Sequence, residues 1–329
     1  MTASLHTLQL RVPFKIAHGT SDTRQVLRLQ EGGHITEAPF VPYYAEDPAE
    51  TLRLVSMPVL PPRLPRAAAL AFNLLRHDIV CTAQGVPLRA MAAARLGEEG
   101  RVPPACHSLG IPDDLGVFEE TVGRLARQFR VLKLKLGGGD LGLDIATVSV
   151  ARMAAPEAAL ILDVNGGWDP VQAAPMIDKL AGYEPALIEQ PIHHRHGMAG
   201  WENLRADLKA SAPPIYADES AQSAADVAEL AGYADGVNVK LLKCGGFDGA
   251  VAMIEAARAE GLGVLLGCMI ESSLGTTAAA HLAPWADWID LDGHLHVLND
   301  DFDGLRFSGT GELCMPERPG IGAVPREGL

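Results

Sequence analysis

The sequence has little that would support a disulfide framework, a membrane span or a polyanionic partner. Its five cysteines are scattered over 329 residues without a CxxC pair, which favours reduced thiols over disulfides or a zinc site. Lysine and arginine total 27 against 41 acidic residues, a formal net charge of −14, so no nucleic-acid partner is expected. The longest apolar-rich stretch, residues 67–83, is interrupted by Arg76, His77 and Asp78, so no membrane segment is expected.

The composition is that of an ordinary globular protein, with 48% hydrophobic and 21% charged residues. The length predicts two domains, or one barrel with an added module. The N-terminal residues 1–14 lack a basic start followed by a continuous apolar run. No secretory signal is therefore predicted, and the expected location is the cytoplasm.

From about residue 106 onward, short runs rich in β-branched residues or leucine alternate with helical segments, which is typical of βα units. The predicted strands are 106–111, 131–136, 159–165, 186–191, 214–220, 236–241, 264–269 and 288–292. Eight such units predict an α/β fold, a closed (β/α)8 TIM barrel. The rival, an open doubly wound sheet, needs a phosphate-binding turn, and the glycines at 137–139 lack GxGxxG spacing.

The remaining segments suggest a second module. Residues 1–102 are predicted as two strands followed by helices, a separate α+β domain. The barrel is assigned to residues 103–302, and residues 303–329, rich in glycine and proline, are expected to return to the first module.

Charged side chains occur near the end of nearly every predicted barrel strand. They are Lys133, Lys135, Asp163, Glu189, Asp218, Glu219, Lys240, Asp290 and Asp292, with Asn165 beside them. The intervals along the series Lys135, Asp163, Glu189, Asp218 and Lys240 are 22 to 29 residues, about one βα unit. Because the C-terminal ends of barrel strands meet at one mouth, these side chains are predicted to share an active site.

Three carboxylates converging at one mouth would repel one another without a cation between them. Oxygen ligands without cysteine or histidine favour Mg²⁺. The alternative is that the carboxylates pair with nearby lysines and bind no metal.

The two lysines on strands flanking the carboxylates, Lys135 and Lys240, are candidate acid/base residues. A nearby divalent cation is expected to lower a lysine pKa, and only the neutral amine can act as a base. The alternative for either lysine alone is a salt bridge at the barrel rim.

Four motifs carry a resemblance to a known family: LKLK at 132–135, DVN at 163–165, EQP at 189–191 and ADES at 217–220. The chain resembles the enolase superfamily, in particular its muconate-lactonizing subgroup, over essentially its full length. The resemblance implies a barrel with an N-terminal capping domain that the C-terminal segment completes. It implies Asp163, Glu189 and Asp218 as Mg²⁺ ligands, Lys135 and Lys240 as the acid/base pair, and Lys133 as a contact to the substrate carboxylate.

Within that subgroup, VNVKLLKCGG at 237–246, GCMIESSLG at 267–275 and DLDG at 290–293 look like dipeptide epimerases, including L-Ala-D/L-Glu epimerases. The resemblance implies that Asp290 and Asp292 hold the α-ammonium of a dipeptide. It implies that Cys268 and Met269 line the pocket, and Ser108 stands where the family often has threonine. The alternative interpretation is that both aspartates are solvated surface acids without a binding role.

Substrate selectivity in that family comes largely from a mobile capping loop, here expected at residues 14–24. Lys15, His18 and Arg24 are its basic residues, whereas Gly19 stands where relatives sometimes have arginine, so the preferred side chain is left open. The HHRH cluster at 193–196 is expected to be part of a rim loop, because Mg²⁺ does not favour imidazole.

Other functions are compatible with the same metal ligands and lysines. An N-acylamino acid racemase or an o-succinylbenzoate synthase would use the same metal and lysines, but Asp290 and Asp292 argue against substrates without an ammonium group. A catalytically silent binding barrel is the alternative from another class. Beyond a small-molecule substrate, assembly into a homo-oligomer is left open.

Overall fold

The computed structural model describes residues 1–326. The first part contains a three-stranded antiparallel sheet and three helices. Its elements are β1 (Thr2–Ile16), β2 (Gly19–Glu31), β3 (His34–Pro39), α1 (Pro48–Val55), α2 (Arg66–Gln84) and α3 (Arg89–Leu96). Helix α2 buries residues at helical spacing, among them Leu70, Ala71 and Leu74, and packs against β2 and β3. It ends at Gly85, whose positive φ of 69° allows its N–H to bond back to the last turn.

The segment 14–24, expected to be a loop, is a β-hairpin. Phe14 pairs with Ser21 and Ile16 with Gly19, leaving Ala17 and His18 as a two-residue turn. Gly19 has a φ of 124°, which a side chain would strain. The expectation of a loop was therefore wrong, because the long ladder between β1 and β2 continues to this turn.

The predicted α/β barrel is confirmed. Its parallel strands are β4 (Cys106–Leu109), β5 (Val131–Lys135), β6 (Ala159–Asp163), β7 (Leu187–Glu189), β8 (Ile215–Ala217), β9 (Gly236–Val239), β10 (Gly263–Gly267) and β11 (Trp288–Asp290). The ring closes through contacts between β11 and β4 and a parallel bridge from Ala105 to Ile289.

Helices cover the outside of the barrel. They are α4 (Leu115–Leu125), α5 (Leu141–Ala154), α6 (Pro170–Ala181), α7 (Gly197–Asp207), α8 (Ala224–Leu230), α9 (Phe247–Ala259) and α10 (Ser273–Ala280). Asp114, Asp140 and Asp169 precede the first three of these helices and accept hydrogen bonds from their first backbone N–H groups. None of the helices in residues 1–326 combines the length and the apolar character needed to cross a membrane.

Four two-residue strands follow the barrel: β12 (Phe302–Asp303), β13 (Arg306–Phe307), β14 (Leu313–Cys314) and β15 (Val324–Pro325). This segment contacts the first part of the chain. Ile321 N donates to Asp78 Oδ1 at 2.6 Å, and Leu88 N donates to Gly320 O at 2.8 Å. Arg28, 7% exposed, pairs with Asp301 at 2.7 Å. The domain limits at residues 102 and 302 stay predictions.

Candidate active site

Alternation along the barrel strands places polar side chains directly above an apolar layer. The apolar interior layer consists of Cys106, Val131, Ile161, Leu187, Tyr216 and Leu265. Two residues further along the same strands stand Ser108, Lys133, Asp163, Glu189, Asp218 and Gly267. Because alternate residues of a strand face the same side, these residues enter the barrel interior at its C-terminal end. The structure thereby gathers the charged residues that the sequence placed at strand ends.

Lys133 lies at the centre of this group and is fully buried. Its Nζ lies 2.9 Å from Asp163 Oδ2, 2.7 Å from Glu189 Oε2 and 2.7 Å from Asp290 Oδ2. These ion pairs would have to separate before a substrate carboxylate could reach the ammonium. The substrate contact of Lys133 stays a prediction.

Lys135 and Lys240 stand on opposite sides of the barrel. Three strands separate β5 from β9 in either direction around the ring, so the two lysines project from opposite strands of the barrel. Lys135 Nζ lies 2.6 Å from Asp163 Oδ2, and Lys240 Nζ lies 2.6 Å from Asp218 Oδ2. Both border the same small cavity of about 90 Å³. A molecule held there would have one lysine on each side.

Three further residues bond to Glu189 or Asp218, two through the carboxylate and one through the backbone N–H, and sequence reasoning missed them. Lys243 Nζ bonds to Asp218 Oδ1 at 2.5 Å, Asn238 Nδ2 donates to Glu189 Oε1 at 2.7 Å, and Gln190 Oε1 accepts from Asp218 N at 2.8 Å. Asn238 precedes Lys240 by two residues, so strand alternation could have identified it. No periodicity extends to Lys243, which follows the strand.

The pKa values reflect how the charges are crowded. Burial opposes ionisation of Asp163, but the nearby lysines lower its pKa to about 2. Burial and repulsion from neighbouring carboxylates raise the pKa of Glu189 to about 7 and that of Glu219 to about 8. Burial disfavours the charged form of Lys240, yet Asp218 holds its pKa well above the usual value. The lowered lysine pKa expected beside a divalent cation is thus not found for Lys240 in the protein alone.

The donor set fits a hard divalent cation. Asn165 Oδ1, Glu189 Oε2 and Glu219 Oε2 are buried and accept no hydrogen bond among the described residues, although Glu189 Oε2 is within ion-pair distance of Lys133. Leaving a buried acceptor unpaired costs about 1–3 kcal/mol. Oxygen atoms of this kind are the ligands that Mg²⁺ prefers. The predicted ligands Asp163, Glu189 and Asp218 could therefore hold Mg²⁺ once the lysines give way.

A different group of candidate metal ligands lies nearby. His107, Asp292 and His296 have ligand atoms that all lie within 4.8 Å of one another. The imidazoles make this an unsuitable site for Mg²⁺. The HHRH residues 193–196 do not belong to this group; they lie at the rim, where His193 faces His18 of the hairpin at 6.1 Å between ring centroids.

The end of the cavity at β4 and β11 is acidic. Asp290 Oδ1 accepts from Ser108 Oγ at 2.9 Å, and Asp292 Oδ2 accepts from Ser108 N at 2.6 Å. His296 Nε2 lies 3.2 Å from Asp292 Oδ2. Burial disfavours the imidazolium, but Asp292 outweighs this effect and raises the pKa of His296. Two buried carboxylates beside a cavity form a suitable place for a small cation.

The hairpin and the β10 loop complete the cavity. Phe14 and Ile16 from β1 face Cys268 and Met269, the pocket residues that the sequence predicted. Arg24 also borders the cavity, and it donates to Phe40 O at 3.2 Å. Lys15 pairs instead with Asp113 at 2.5 Å. The walls near the hairpin are thus mainly apolar.

Comparison with known proteins gives consistent results. Residues 117–329 match a family described as enolase C-terminal domain-like. The hydrophobic dipeptide epimerase of Roseobacter litoralis is 37% identical over 262 residues, which cover 78% of this chain and 73% of that protein. The substrate-liganded L-Ala-D/L-Glu epimerase of Bacillus subtilis superposes with a TM-score of 0.82 at 27% identity, covering 98% and 97% of the two chains. A dipeptide epimerase from Enterococcus faecalis, solved with Mg and L-Leu-L-Tyr, gives a TM-score of 0.84 at 27% identity and covers 98% of each chain.

Proposed function

The chain belongs to the enolase superfamily, and from that premise we propose that it is a Mg²⁺-dependent dipeptide epimerase. It is an isomerase, as are the epimerases that it resembles. The proposed reaction inverts the α-carbon of the C-terminal residue of a dipeptide. The observation that carries this proposal is the position of Lys135 and Lys240 on opposed strands bordering one cavity.

Asp163, Glu189 and Asp218 are the proposed Mg²⁺ ligands. When bound, Mg²⁺ would supply positive charge that stabilises the enediolate character developing on the substrate carboxylate. The buried oxygens of Glu219 and Asn165 that accept no hydrogen bond among the described residues support this assignment. The metal-bound relatives support it as well, since the E. faecalis enzyme was solved with Mg and a dipeptide.

The acid/base pair would work from the two sides of the substrate. Asp163 and Asp218 hold the lysine protons while these carboxylates lack another cation. Once another cation compensates the charge of these carboxylates, one lysine can lose its proton and accept the α-proton of the substrate. The other lysine donates a proton to the opposite face of the α-carbon. The stereocentre inverts, and each lysine ends the turnover in the other's starting protonation state.

Asp290 and Asp292 are proposed to recognise the free α-ammonium of the substrate. Both are buried and border the cavity beside Ser108. An ammonium group withdrawn from water needs compensating carboxylates. An N-acylamino acid or a succinylbenzoate precursor has no such group and would gain nothing from two buried carboxylates, which makes those two reactions the less favoured alternatives.

Deuterium exchange tests the proposal. The purified protein is incubated with Mg²⁺ and pooled L,L-dipeptides in D₂O, and mass spectrometry measures incorporation of one deuteron at the C-terminal α-carbon. Lys135→Ala and Lys240→Ala are compared with Lys209→Ala, an exposed lysine paired with Asp178 far from the mouth. Exchange and epimerisation by the unmodified protein and Lys209→Ala, with epimerisation lost in both cavity variants, is the expected result.

Two outcomes would contradict the proposal. Exchange of N-acylamino acids but of no dipeptide would show that Asp290 and Asp292 do not recognise a substrate ammonium. Absence of exchange with every acid tested would instead favour a binding barrel.

A further inference from the structure

A second cavity adjoins the first one on the side of the acidic end. It measures about 480 Å³ and lies between β1, the loop after β4 and helix α4. Apolar side chains dominate its lining, among them Val12, Leu109, Ile111, Val117 and Phe118. None of the predicted metal ligands or lysine bases borders it. Its role must therefore differ from that of the catalytic cavity.

The two cavities share a wall made of Phe14, Ser108 and His296. Ser108 and His296 are the residues that bond to Asp292, at 2.6 and 3.2 Å. A cation bound by Asp292 would therefore sit at the boundary between the cavities. The carbon atom that bears an ammonium group also bears the N-terminal side chain, so that side chain would start at the same boundary.

Several polar groups around the second cavity are already paired, whereas Arg124 is exposed without an ion pair among the described residues and His107 Nδ1 is buried without a hydrogen bond. Lys15 and Asp113 form an ion pair at 2.5 Å, Asp114 accepts from the first N–H groups of α4, and Thr121 Oγ1 donates to Val117 O at 2.8 Å. The paired groups therefore do not call for a charged ligand, and the Arg124 guanidinium is solvated without one. The chemistry left open to a ligand is burial against the apolar walls.

The volumes also favour use of both cavities. Small-molecule sites usually occupy about 300–1,000 Å³. The catalytic cavity, about 90 Å³, is well below this range, whereas the second, about 480 Å³, is within it. A dipeptide can place its reacting residue between the lysines only if its other side chain lies elsewhere.

We propose that the second cavity binds the side chain of the N-terminal residue, and that the preferred substrates are dipeptides with a large apolar residue at that position. This inference rests on the proposed dipeptide epimerase function. Burial of a leucine side chain relative to glycine is expected to raise kcat/KM roughly 10- to 100-fold. Lysine at the same position would not gain this increase, because its ammonium would be desolvated without a partner.

The test compares Gly-, Ala-, Leu-, Phe-, Lys- and Glu-Xaa dipeptides, with Xaa held at the L-residue that exchanges fastest. Val117, 64% exposed in the first turn of α4, is replaced in Val117→Trp, and Thr121→Phe offers a second obstruction one turn further. The matched control is Val171→Trp, a valine 83% exposed in the first turn of α6 and away from both cavities. Deuterium exchange gives kcat/KM, and calorimetry gives binding of each dipeptide independently of turnover.

The expected result is a Leu and Phe preference that both obstructing variants reduce about tenfold, with Gly-Xaa changed less than about twofold. Val171→Trp should retain the preference. Exchange without an N-terminal preference, or a preference unchanged by both obstructions, would overturn the cavity assignment while leaving the epimerase function intact. Apolar-selective binding without exchange would support the cavity and refute the function. If no dipeptide binds, both are refuted.

Discussion

Gly267 leaves room for the predicted base Lys240, so adding one methyl group tests how closely that lysine must be held. A Cβ on Gly267 would lie 2.5 Å from Asn238 Oδ1 and 2.9 Å from Lys240 Cε. Ordinary contacts require about 3.5 Å, so displacements of roughly 0.6 to 1 Å are needed. The lysine chain must therefore shift by about 0.6 Å, and Asn238, which donates to Glu189, by about 1 Å. A misplacement of about 1 Å at a catalytic group lowers the rate about 100-fold.

The assay follows deuterium incorporation separately into the L,L and L,D epimers of one dipeptide. Gly267→Ala is expected to slow exchange about 100-fold for the epimer whose α-proton faces Lys240, and less for the other. The control is Gly263→Ala at the opposite end of β10, where a Cβ would collide with the Tyr216 hydroxyl below the site. That variant should lose stability without preference between epimers. Equal slowing of both epimers by Gly267→Ala, or no slowing, would refute the reasoning.

Three other predictions concern stability, pH and the metal. Lys243→Met removes the buried ammonium bonded to Asp218 and is expected to lower the free energy of unfolding by about 3–5 kcal/mol, as measured by urea denaturation; an unchanged midpoint would show that the ion pair is dispensable. Below the raised pKa of His296, its imidazolium competes with a substrate ammonium for Asp292, so KM for dipeptides should fall as pH rises through that pKa. This fall should vanish in His296→Gln. A fall of equal size in that variant would exclude His296 as the titrating group. Chelation should abolish α-proton exchange and added Mg²⁺ should restore it, whereas Glu189→Gln should raise the Mg²⁺ concentration needed; exchange that survives chelation would contradict the metal assignment.

The barrel could be predicted because its strands combine apolar runs with charged ends at a regular spacing. All eight predicted strands form, but the hydrogen-bonded ladders end before the predicted limits. In the run 214–220, for example, only Ile215–Ala217 is strand, because Asp218 turns into the site and Gln190 binds its backbone N–H. The polar residues that made the strands recognisable are thus the ones that leave the sheet.

Contacts between distant segments could not be predicted in the same way. Lys133 was recognised as a site residue, but its enclosure by three carboxylates depends on strands far apart in sequence. His107 and His296 meet around Asp292 only after the ring closes between its first and last strands. Local sequence periodicity contains no information about contacts between residues this far apart in the chain. The hairpin at 14–24 was not predicted because the resemblance implied a loop there, whereas the two strands pair as far as Ile16 and Gly19.

The ion pair between Arg28 and Asp301 has a consequence for how the protein is made. These residues are 273 positions apart, and at about 5–20 residues per second a ribosome needs roughly 14 to 55 s to add that length. Throughout that interval Arg28 lacks this partner, and Leu8 and Val26 lack Val297, the third member of their buried cluster. The first segment to leave the ribosome is therefore among the last to complete its packing.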